Sequence, residues 1–228
     1  MKKSMVFGVM LALCAVIGLA ACGAESEKET ESGVPIESLE EKGTDYLVLV
    51  NKENLISGDY VNTIQLCDID NVDGGTYQVE KQTKEAFEEL AEALKEKGVE
   101  IGVDSAYRSV EQQQEIMDQF IADYGEDYAR RTVAQPGTSE HHTGLVIDLV
   151  PKVNGQWVIE NEDMLKETEI FKVIHATLPK YGFILRYPKG KEDITGYDYE
   201  PWHIRYVGKE AAQEIYDQQI TLEEYLGE

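Results

Sequence analysis

Two short segments of the sequence combine histidine and carboxylate side chains in a pattern that could support hydrolytic chemistry. In the first, His141 lies in a glycine-containing loop that leads into an apolar run carrying Asp148. In the second, Glu200 stands shortly before His203, and the intervening Pro201 restricts how the backbone approaches the following strand. An aspartate within an apolar strand is unfavourable unless it is paired or binds a cation. Asp148 therefore indicates either a metal site or a buried ion pair.

These residue types match a mononuclear catalytic zinc site. Two imidazoles and one carboxylate are a common ligand set for catalytic zinc, and they leave a fourth position for water. A further carboxylate near the metal can act as a general base, and zinc lowers the pKa of its water to about 7. His141, Asp148 and His203 are therefore candidate ligands, and Glu200 is the candidate base. The alternative is a hydrogen-bonded core cluster without a metal.

The two segments and their flanks resemble the VanY-like zinc D-alanyl-D-alanine carboxypeptidase family, which includes peptidoglycan LD-carboxypeptidases. The matching motifs are Ser139-x-His141-x-x-Gly144-x-x-x-Asp148 and Glu200-Pro201-Trp202-His203. Supporting matches are Ser105-Ala106-Tyr107-Arg108-Ser109 with Gln113, then 181–188 and 195–199. Several motifs match in the same order over residues 46–210, so the resemblance is specific.

The resemblance implies a reaction and a set of zinc-binding residues. His141, Asp148 and His203 would bind Zn²⁺, and Glu200 would act as the catalytic base. The implied reaction removes the C-terminal D-Ala from peptidoglycan stem peptides by metal-activated water. The motifs leave open whether the enzyme is D,D-specific or L,D-specific.

The resemblance also implies three residues that bind or position the substrate. Arg108 would bind the peptide and polarise it near the scissile bond, so it is both a catalytic and a substrate-binding candidate. Ser139 would hydrogen-bond the C-terminal end of the peptide, and Gln113 would support the Arg108 loop. Val146 and Thr138 depart from the residues usual in the family, but neither change removes a reactive group.

Two other functions are compatible with the same motifs. One is a non-catalytic lipoprotein that binds stem peptides, although a binding protein would not need Glu200. The other is a peptidoglycan endopeptidase of the same fold. Acceptance of a substrate that extends beyond the terminal D-Ala distinguishes the endopeptidase from the carboxypeptidase.

The elements that must position these residues can be predicted from apolar periodicity. The predicted helices cover 84–97, 110–124 with Ser109 as N-cap, and 164–181, and one or two further helices are expected in 209–228. The predicted strands cover 46–50, 100–105, 145–150 and 203–207. Helices dominate the first half without regular βαβ alternation. This order favours a single α+β domain in which helices pack against a small, mostly antiparallel sheet that carries the zinc site.

Other polar and aromatic residues near the motifs are predicted to be structural. His142 and His175 are expected to be surface or packing residues, and Trp202 is expected to pack in the core beside the site. The acidic pair Glu223 and Glu224 is expected to lie on a solvated helix face.

The N-terminal region predicts export. Residues 1–21 combine two lysines with an apolar run and form a predicted lipoprotein signal peptide, and the small residues before Cys22 indicate that this cysteine is lipidated. The alternative is an ordinary signal peptide with an incidental cysteine. Residues 22–45 are expected to be a flexible acidic tether, and 46–228 the zinc carboxypeptidase domain. The expected location is the outer face of a bacterial cytoplasmic membrane, contacted only through the lipid.

Composition limits the possible partners. Among 228 residues there are 21 Lys plus Arg and 44 Asp plus Glu, which gives a formal charge of -23. Such a chain repels phosphate backbones, so nucleic-acid binding is not expected. The three cysteines are too few for a disulfide scaffold. The expected partner is the peptidoglycan stem peptide, and the protein is expected to be a monomer.

Overall fold

An antiparallel sheet brings the two histidine-containing segments together. The computed structural model describes residues 44–56 and 60–228. Its strands are β1 (Leu66–Asp70), β2 (Thr76–Glu80), β3 (Ile101–Ser105), β4 (Val146–Val153), β5 (Gln156–Trp157), β6 (Phe183–Leu185) and β7 (His203–Tyr206). Its α-helices are α1 (Lys81–Glu96), α2 (Val110–Tyr124), α3 (Glu126–Thr132), α4 (Asn161–Met164), α5 (Thr168–His175), α6 (Glu192–Thr195), α7 (Lys209–Gln218) and α8 (Leu222–Leu226). Short 3₁₀ turns occupy Tyr60–Thr63, Glu140–Thr143 and Leu178–Tyr181.

The central sheet has the strand order β3-β4-β7-β6, and β5 pairs with the C-terminal end of β4. All of its strand pairs are antiparallel, while β1 and β2 form a separate antiparallel hairpin. The register places Asp148 on β4 opposite His203 on β7, and opposite Ser105 on β3. The predicted α+β fold with a small antiparallel sheet is confirmed.

Helix α1 illustrates how an apolar stripe anchors a helix on the core. Phe87, Leu90 and Leu94 are buried at the predicted helical spacing and belong to the main hydrophobic core. The helix begins earlier than the predicted start at residue 84, because the Glu80 side chain accepts a hydrogen bond from the backbone N–H of Thr83 and caps the first turn.

The segment 46–50 was predicted as a strand, and this prediction is wrong. Its backbone does not pair with the sheet; instead the carbonyls of Tyr46 and Val48 accept hydrogen bonds from the guanidinium of Arg205. The Tyr46 ring packs edge-on against Tyr206, with ring centroids 5.2 Å apart. A buried arginine therefore replaces a neighbouring strand as the partner of this backbone.

The predicted continuous helix over 164–181 is also wrong. The region divides into α4, α5 and the 3₁₀ turn that contains Pro179. Proline has no N–H for an α-helical hydrogen bond, which accounts for the change to a tighter turn. The predicted stop at Gly182 is confirmed: its φ is +83°, and a Cβ there would lie 2.7 Å from Tyr206.

The C-terminal helices α7 and α8 pack together behind β6. Their apolar residues form a second buried cluster with Ile184 and Val207 from the end of the sheet region. Ala212, Ile215 and Leu222 contribute its centre. This packing confirms the prediction of helices in 209–228 and places α8 against the segment that follows β6.

Several predictions lie outside the described residues. These are the signal peptide over 1–21, the lipidation of Cys22 and nearly all of the tether over 22–45. Within the part of the chain that the structure describes, no helix is both long enough and apolar enough to span a membrane.

Candidate metal centre

Three side chains from separate segments converge where β4 meets β7. His141 comes from the 3₁₀ turn before β4, Asp148 from β4 itself and His203 from the first position of β7. Each offers one ligand atom, and these atoms lie within 4.8 Å of one another. Asp148 Oδ2 is 3.1 Å from His141 Nε2, and Asp148 Oδ1 is 3.0 Å from His203 Nδ1. The structure brings together all three residues predicted as metal ligands.

The backbone around His141 explains the glycine of the motif. Gly144 ends the 3₁₀ turn in the left-handed conformation, with φ +68°. A Cβ at this position would lie 3.1 Å from Leu66 Cδ2 and 3.4 Å from the backbone nitrogen of Glu80. The Gly144 carbonyl accepts a hydrogen bond from that same nitrogen, so the turn is fixed to the end of β2. Only a residue without a side chain fits this close approach easily.

The groups on the far side of each ring differ, and so does the nitrogen that faces Asp148. His141 Nδ1 is 2.6 Å from the carbonyl of Ala106, which can only accept, so Nδ1 carries the proton and Nε2 is free to bind a metal. In His203 the arrangement is reversed. Its Nδ1 faces Asp148, and its Nε2 lies 3.5 Å from Glu140 Oε2.

The cluster has the properties of a cation site. In the described ranges, three buried side-chain atoms have no hydrogen-bond partner: Asp148 Oδ1, His203 Nε2 and Glu140 Oε2. Burial opposes ionisation of Asp148, but His141 and His203 hold the pKa of its carboxyl well below the usual range. A half-buried, ionised carboxylate with a buried, unpartnered oxygen beside an imidazole nitrogen fits a shared divalent cation. The donor set of two imidazoles and one carboxylate suits Zn²⁺.

Glu200 lies beside the cluster without belonging to it. Its Oε2 is 3.7 Å from His203 Nδ1, and its side chain keeps partial exposure. Its backbone N–H donates to the carbonyl of Tyr187, which fixes the loop before β7. Burial, together with the charge of Asp148, raises the pKa of Glu200 to about 7. A carboxyl group with such a pKa is suited to accept and return a proton near neutral pH.

Arg108 is held in place by neutral groups. Its Nη1 donates to Gln113 Oε1 at 2.7 Å and its Nη2 donates to Ser105 Oγ at 3.3 Å. Gln113 is buried and donates in turn to the carbonyl of Ala134, so it links Arg108 to this backbone, while its part in substrate binding stays a prediction. The Arg108 backbone N–H donates to the His141 carbonyl. Among the described residues no carboxylate forms an ion pair with Arg108, which leaves its charge available to a substrate.

The remaining predicted residues differ in what the structure shows for them. Ser139 is buried directly before the 3₁₀ turn, and its side chain does not cap that turn. His142 uses both ring nitrogens in structural contacts, donating from Nδ1 to the Arg108 carbonyl and accepting at Nε2 from the Gly137 N–H. His175 donates from Nε2 to the carbonyl of Pro201. Both histidines are therefore packing residues, and the role of Ser139 stays a prediction.

A buried charge network that the sequence motifs did not predict lies behind the candidate metal centre. Glu140 Oε1 accepts hydrogen bonds from Arg186 Nε and Arg205 Nη1, both at 2.7 Å. Arg186 also binds both carboxylate oxygens of Glu223. The prediction that Glu223 is solvated is wrong, because the side chain is directed inward to Arg186. The sequence indicates this network only through two arginines that follow apolar residues, in Ile184-Leu185-Arg186 and Ile204-Arg205-Tyr206.

A largely buried cluster of two histidines and one aspartate, with a carboxyl group beside it and an arginine that forms no ion pair among the described residues, is typical of metal-dependent hydrolases. The family model described as VanY, D-alanyl-D-alanine carboxypeptidase, matches residues 76–209. The chain belongs to this family, as its sequence motifs implied.

Relatives and solved structures agree with this assignment. YodJ of Bacillus subtilis (strain 168) is 41% identical over 183 residues, which span 78% of this chain and 66% of YodJ. The D-alanyl-D-alanine carboxypeptidase of Enterococcus faecalis (strain ATCC 700802 / V583) is 37% identical over 191 residues, or 79% of this chain and 65% of that protein. The chain thus spans slightly less than two thirds of the length of these relatives.

Three solved structures share the fold. The LdcB LD-carboxypeptidase superposes with a TM-score of 0.69 at 40% identity, covering 78% of this chain and 84% of LdcB. VanYB in complex with D-alanine-D-alanine gives a TM-score of 0.66 at 36% identity, covering 80% of this chain and 97% of that one. A VanY variant in complex with Zn(II) gives 0.63 at 35% identity, covering 79% and 98%.

Proposed function

We propose that this protein is a zinc-dependent carboxypeptidase that removes the C-terminal D-Ala from peptidoglycan stem peptides. The observation that carries the proposal is the buried cluster of His141, Asp148 and His203 with Glu200 beside it, in a chain of the VanY family. The solved VanY relative with bound Zn(II) supports zinc as the metal. The pairing of a possible metal site with a poised carboxyl group favours catalysis over simple peptide binding.

The residues around the metal centre have distinct parts in the proposed reaction. His141 Nε2, His203 Nδ1 and the Asp148 carboxylate would hold Zn²⁺, which supplies Lewis acidity that activates water and polarises the scissile carbonyl. Glu200 accepts the proton of the attacking water at its carboxylate and returns it to the amine of the leaving D-Ala. Arg108 offsets the negative charge that develops on the carbonyl oxygen.

The substrate proposal follows from the relatives and from the site. A solved relative, VanYB, binds D-alanine-D-alanine, and another, LdcB, is an LD-carboxypeptidase of peptidoglycan. Ser139 is buried and directly precedes the 3₁₀ turn that contains His141. Its hydroxyl does not cap this turn, so it can donate a hydrogen bond to the terminal carboxylate of the peptide.

The test is mass spectrometry of synthetic stem tetrapeptide and pentapeptide incubated with the full chain, purified in detergent and loaded with zinc. Loss of one Ala from the pentapeptide alone identifies a D,D-carboxypeptidase, and loss from the tetrapeptide identifies an L,D-carboxypeptidase. The control is Glu200→Gln, which keeps the metal ligands and removes the proton acceptor. Zinc bound stoichiometrically without trimming of either peptide would contradict the carboxypeptidase and leave a binding protein.

We also propose that the chain is exported, lipidated on Cys22 and held on the outer face of the cytoplasmic membrane. The support is the lysine-led apolar segment 1–21, which ends in Leu19-Ala20-Ala21-Cys22. A single acyl chain binds membranes only marginally, whereas several chains anchor a protein stably. Labelling of cells with a fatty-acid analogue tests this: wild type should be labelled and Cys22→Ala should not. Equal labelling of both would reject Cys22 as the acceptor.

A further inference from the structure

A chain of buried charges links the last helix of the protein to one of the candidate metal ligands. Glu140 is fully buried and uses only Oε1 to accept hydrogen bonds from Arg186 and Arg205. Its other oxygen, Oε2, lies 3.5 Å from His203 Nε2, and neither atom has a hydrogen-bond partner elsewhere in the described part of the chain. The two arginines therefore hold Glu140 with one oxygen directed at the metal ligand.

This arrangement determines what His203 can offer to a metal. For Nδ1 to act as a ligand, the proton of the neutral ring must be on Nε2. Glu140 Oε2 is the acceptor that faces Nε2, so it favours that form and the matching ring orientation. Carboxylates that accept a hydrogen bond from a metal-bound histidine also increase the basicity of the ring.

The same network extends to the C-terminal helix. Glu223 lies on α8, is almost fully buried and accepts hydrogen bonds from Arg186 Nη2 at 2.6 Å and Nη1 at 2.9 Å. The first turn of α8 is fixed by a capping box in which Thr221 and Glu224 satisfy each other's backbone N–H. Because α8 is so short, this cap and the contact with Arg186 hold Glu223 in position.

The charges of the network are balanced. Two carboxylates, Glu140 and Glu223, face two guanidinium groups, Arg186 and Arg205, all of them buried. Loss of the Glu223 charge would leave Arg186 as an uncompensated buried cation in direct contact with Glu140, the residue that faces His203. An extra positive charge at that depth disfavours a divalent cation nearby, since buried charges are poorly screened.

We propose that Glu140 is a positioning residue for His203, and that Glu223 on the C-terminal helix sets the metal affinity of the site through Arg186. This inference rests on the metal site of the proposed function and extends it to residues to which the resemblance assigns no role. A network that served folding alone would give the same contacts. Its substitution would then lower the stability of the protein without changing its affinity for the metal. The two roles are therefore separable by experiment.

The test measures the zinc dissociation constant of the full chain in detergent by competition with a chelator of known affinity. Glu140→Gln is expected to weaken zinc binding roughly 10- to 100-fold, the usual effect of losing an outer partner of a ligand. Glu223→Gln is expected to weaken it about 10-fold through the unbalanced charge of Arg186. The cobalt-substituted protein gives a second readout, because a change in the His203 ligand alters the visible absorption spectrum of Co²⁺.

Two further variants make the test specific. Thr221→Ala removes the cap of α8 without touching the charges, and it should lower the melting temperature of the metal-free protein while zinc affinity stays unchanged. The double variant Arg186→Met with Glu223→Gln restores the charge balance and should recover part of the affinity lost in Glu223→Gln. If Glu140→Gln fails to fold, the Glu223 and Thr221 variants still decide the question.

The outcomes separate this inference from the function on which it rests. Wild-type zinc affinity in Glu223→Gln, with a melting temperature lowered as in Thr221→Ala, would show a purely structural network and overturn the proposal. A wild-type chain that takes up no zinc would remove both the inference and the proposed function. Tight zinc binding by wild type with no effect of either glutamate variant would leave the function and reject the inference alone.

Discussion

His141 and His203 present different ring nitrogens to the same carboxylate. The Ala106 carbonyl occupies Nδ1 of His141, whereas Glu140 faces Nε2 of His203. Asp148 lies between the two rings with one oxygen directed at each. The orientation of both rings thus depends on groups other than the candidate ligands, and the loop from Ala106 to Ser109 supplies both a ring partner and the arginine proposed to bind the substrate.

A substitution of Arg108 tests the proposed role of this loop in the reaction most directly. Arg108→Met removes the charge that would stabilise the carbonyl oxygen, so kcat/KM should fall roughly 10²- to 10³-fold, as for the loss of one oxyanion donor. Zinc stoichiometry should be unchanged, because no ligand is altered. Peptide hydrolysis and metal analysis of the same samples measure both quantities.

Gln113→Leu provides the matched control for this substitution. It keeps Arg108 but removes the acceptor of Nη1, so a smaller fall in kcat/KM than in Arg108→Met is expected. Full activity in Arg108→Met would exclude the arginine from the reaction and leave it a structural role.

Among the secondary-structure elements, the predictions succeeded where local chemistry decides the conformation. The stripe of Phe87, Leu90 and Leu94 and the cap at Ser109 depend on neighbours in the sequence, and both are confirmed. The strand predicted over 46–50 depends on a distant arginine, Arg205, which takes its carbonyls. The sequence motifs identified the candidate ligands because spacing and residue type are local. The apolar runs around Arg186 and Arg205 indicate only that these charges are buried, and the sequence does not indicate that Glu140 is their partner.

Two glycines with positive φ can be compared: Gly144 in the turn before β4, and Gly74 in the turn between β1 and β2. Gly144→Ala and Gly74→Ala both place a side chain in a strained conformation, which costs about 1 kcal/mol or more. A Cβ at Gly144 also approaches Leu66 and the Glu80 backbone, whereas none of the surrounding atoms lies within 4 Å at Gly74. Urea denaturation should show the larger loss of stability for Gly144→Ala. Zinc affinity should fall only in that variant, because its turn carries His141; equal effects in both would argue against this account.

The end of α5 contributes to the acid sensitivity of the fold. Burial lowers the pKa of His175, which donates to the Pro201 carbonyl in its neutral form. Because the folded pKa lies below the unfolded value of about 6.5, this stabilising contribution is complete above that pH and is lost as the pH falls toward the folded pKa. His175→Gln keeps a donor at the same place without a titrating group. Its free energy of unfolding should therefore fall less than that of wild type between about pH 7.5 and 5.5, measured by urea denaturation at fixed zinc; parallel curves would contradict this.

Considered as a whole, the chain is strongly acidic and has three arginines at or behind the candidate metal centre. The formal charge is -23, yet Arg186 and Arg205 are fully buried and Arg108 is unpaired among the described residues. The buried arginines neutralise Glu140 and Glu223, whereas no arginine or lysine among the described residues pairs with Asp148 at the centre of the site. A cation at this place would complete the charge balance of the interior, and its binding would be linked to folding.

Metal removal should therefore both inactivate and destabilise the protein. A ligand that binds only the folded state stabilises it by RT ln(1 + [L]/Kd), about 4 kcal/mol at a thousandfold excess over Kd, so chelation should lower the melting temperature by several degrees.

In contrast, β-lactams should inhibit this protein poorly, because they inactivate enzymes by acylating a nucleophilic serine. No serine or cysteine side chain in residues 44–56 and 60–228 hydrogen-bonds to a histidine or lysine, and the thiol of Cys67 has a pKa raised by burial and donates to the Val79 carbonyl. Both predictions are tested by activity assays and thermal melts, run with a chelator, with zinc added back and with a penicillin. Activity that survives complete chelation, or that a penicillin abolishes with a covalent mass shift, would indicate a nucleophilic enzyme instead of a metallopeptidase.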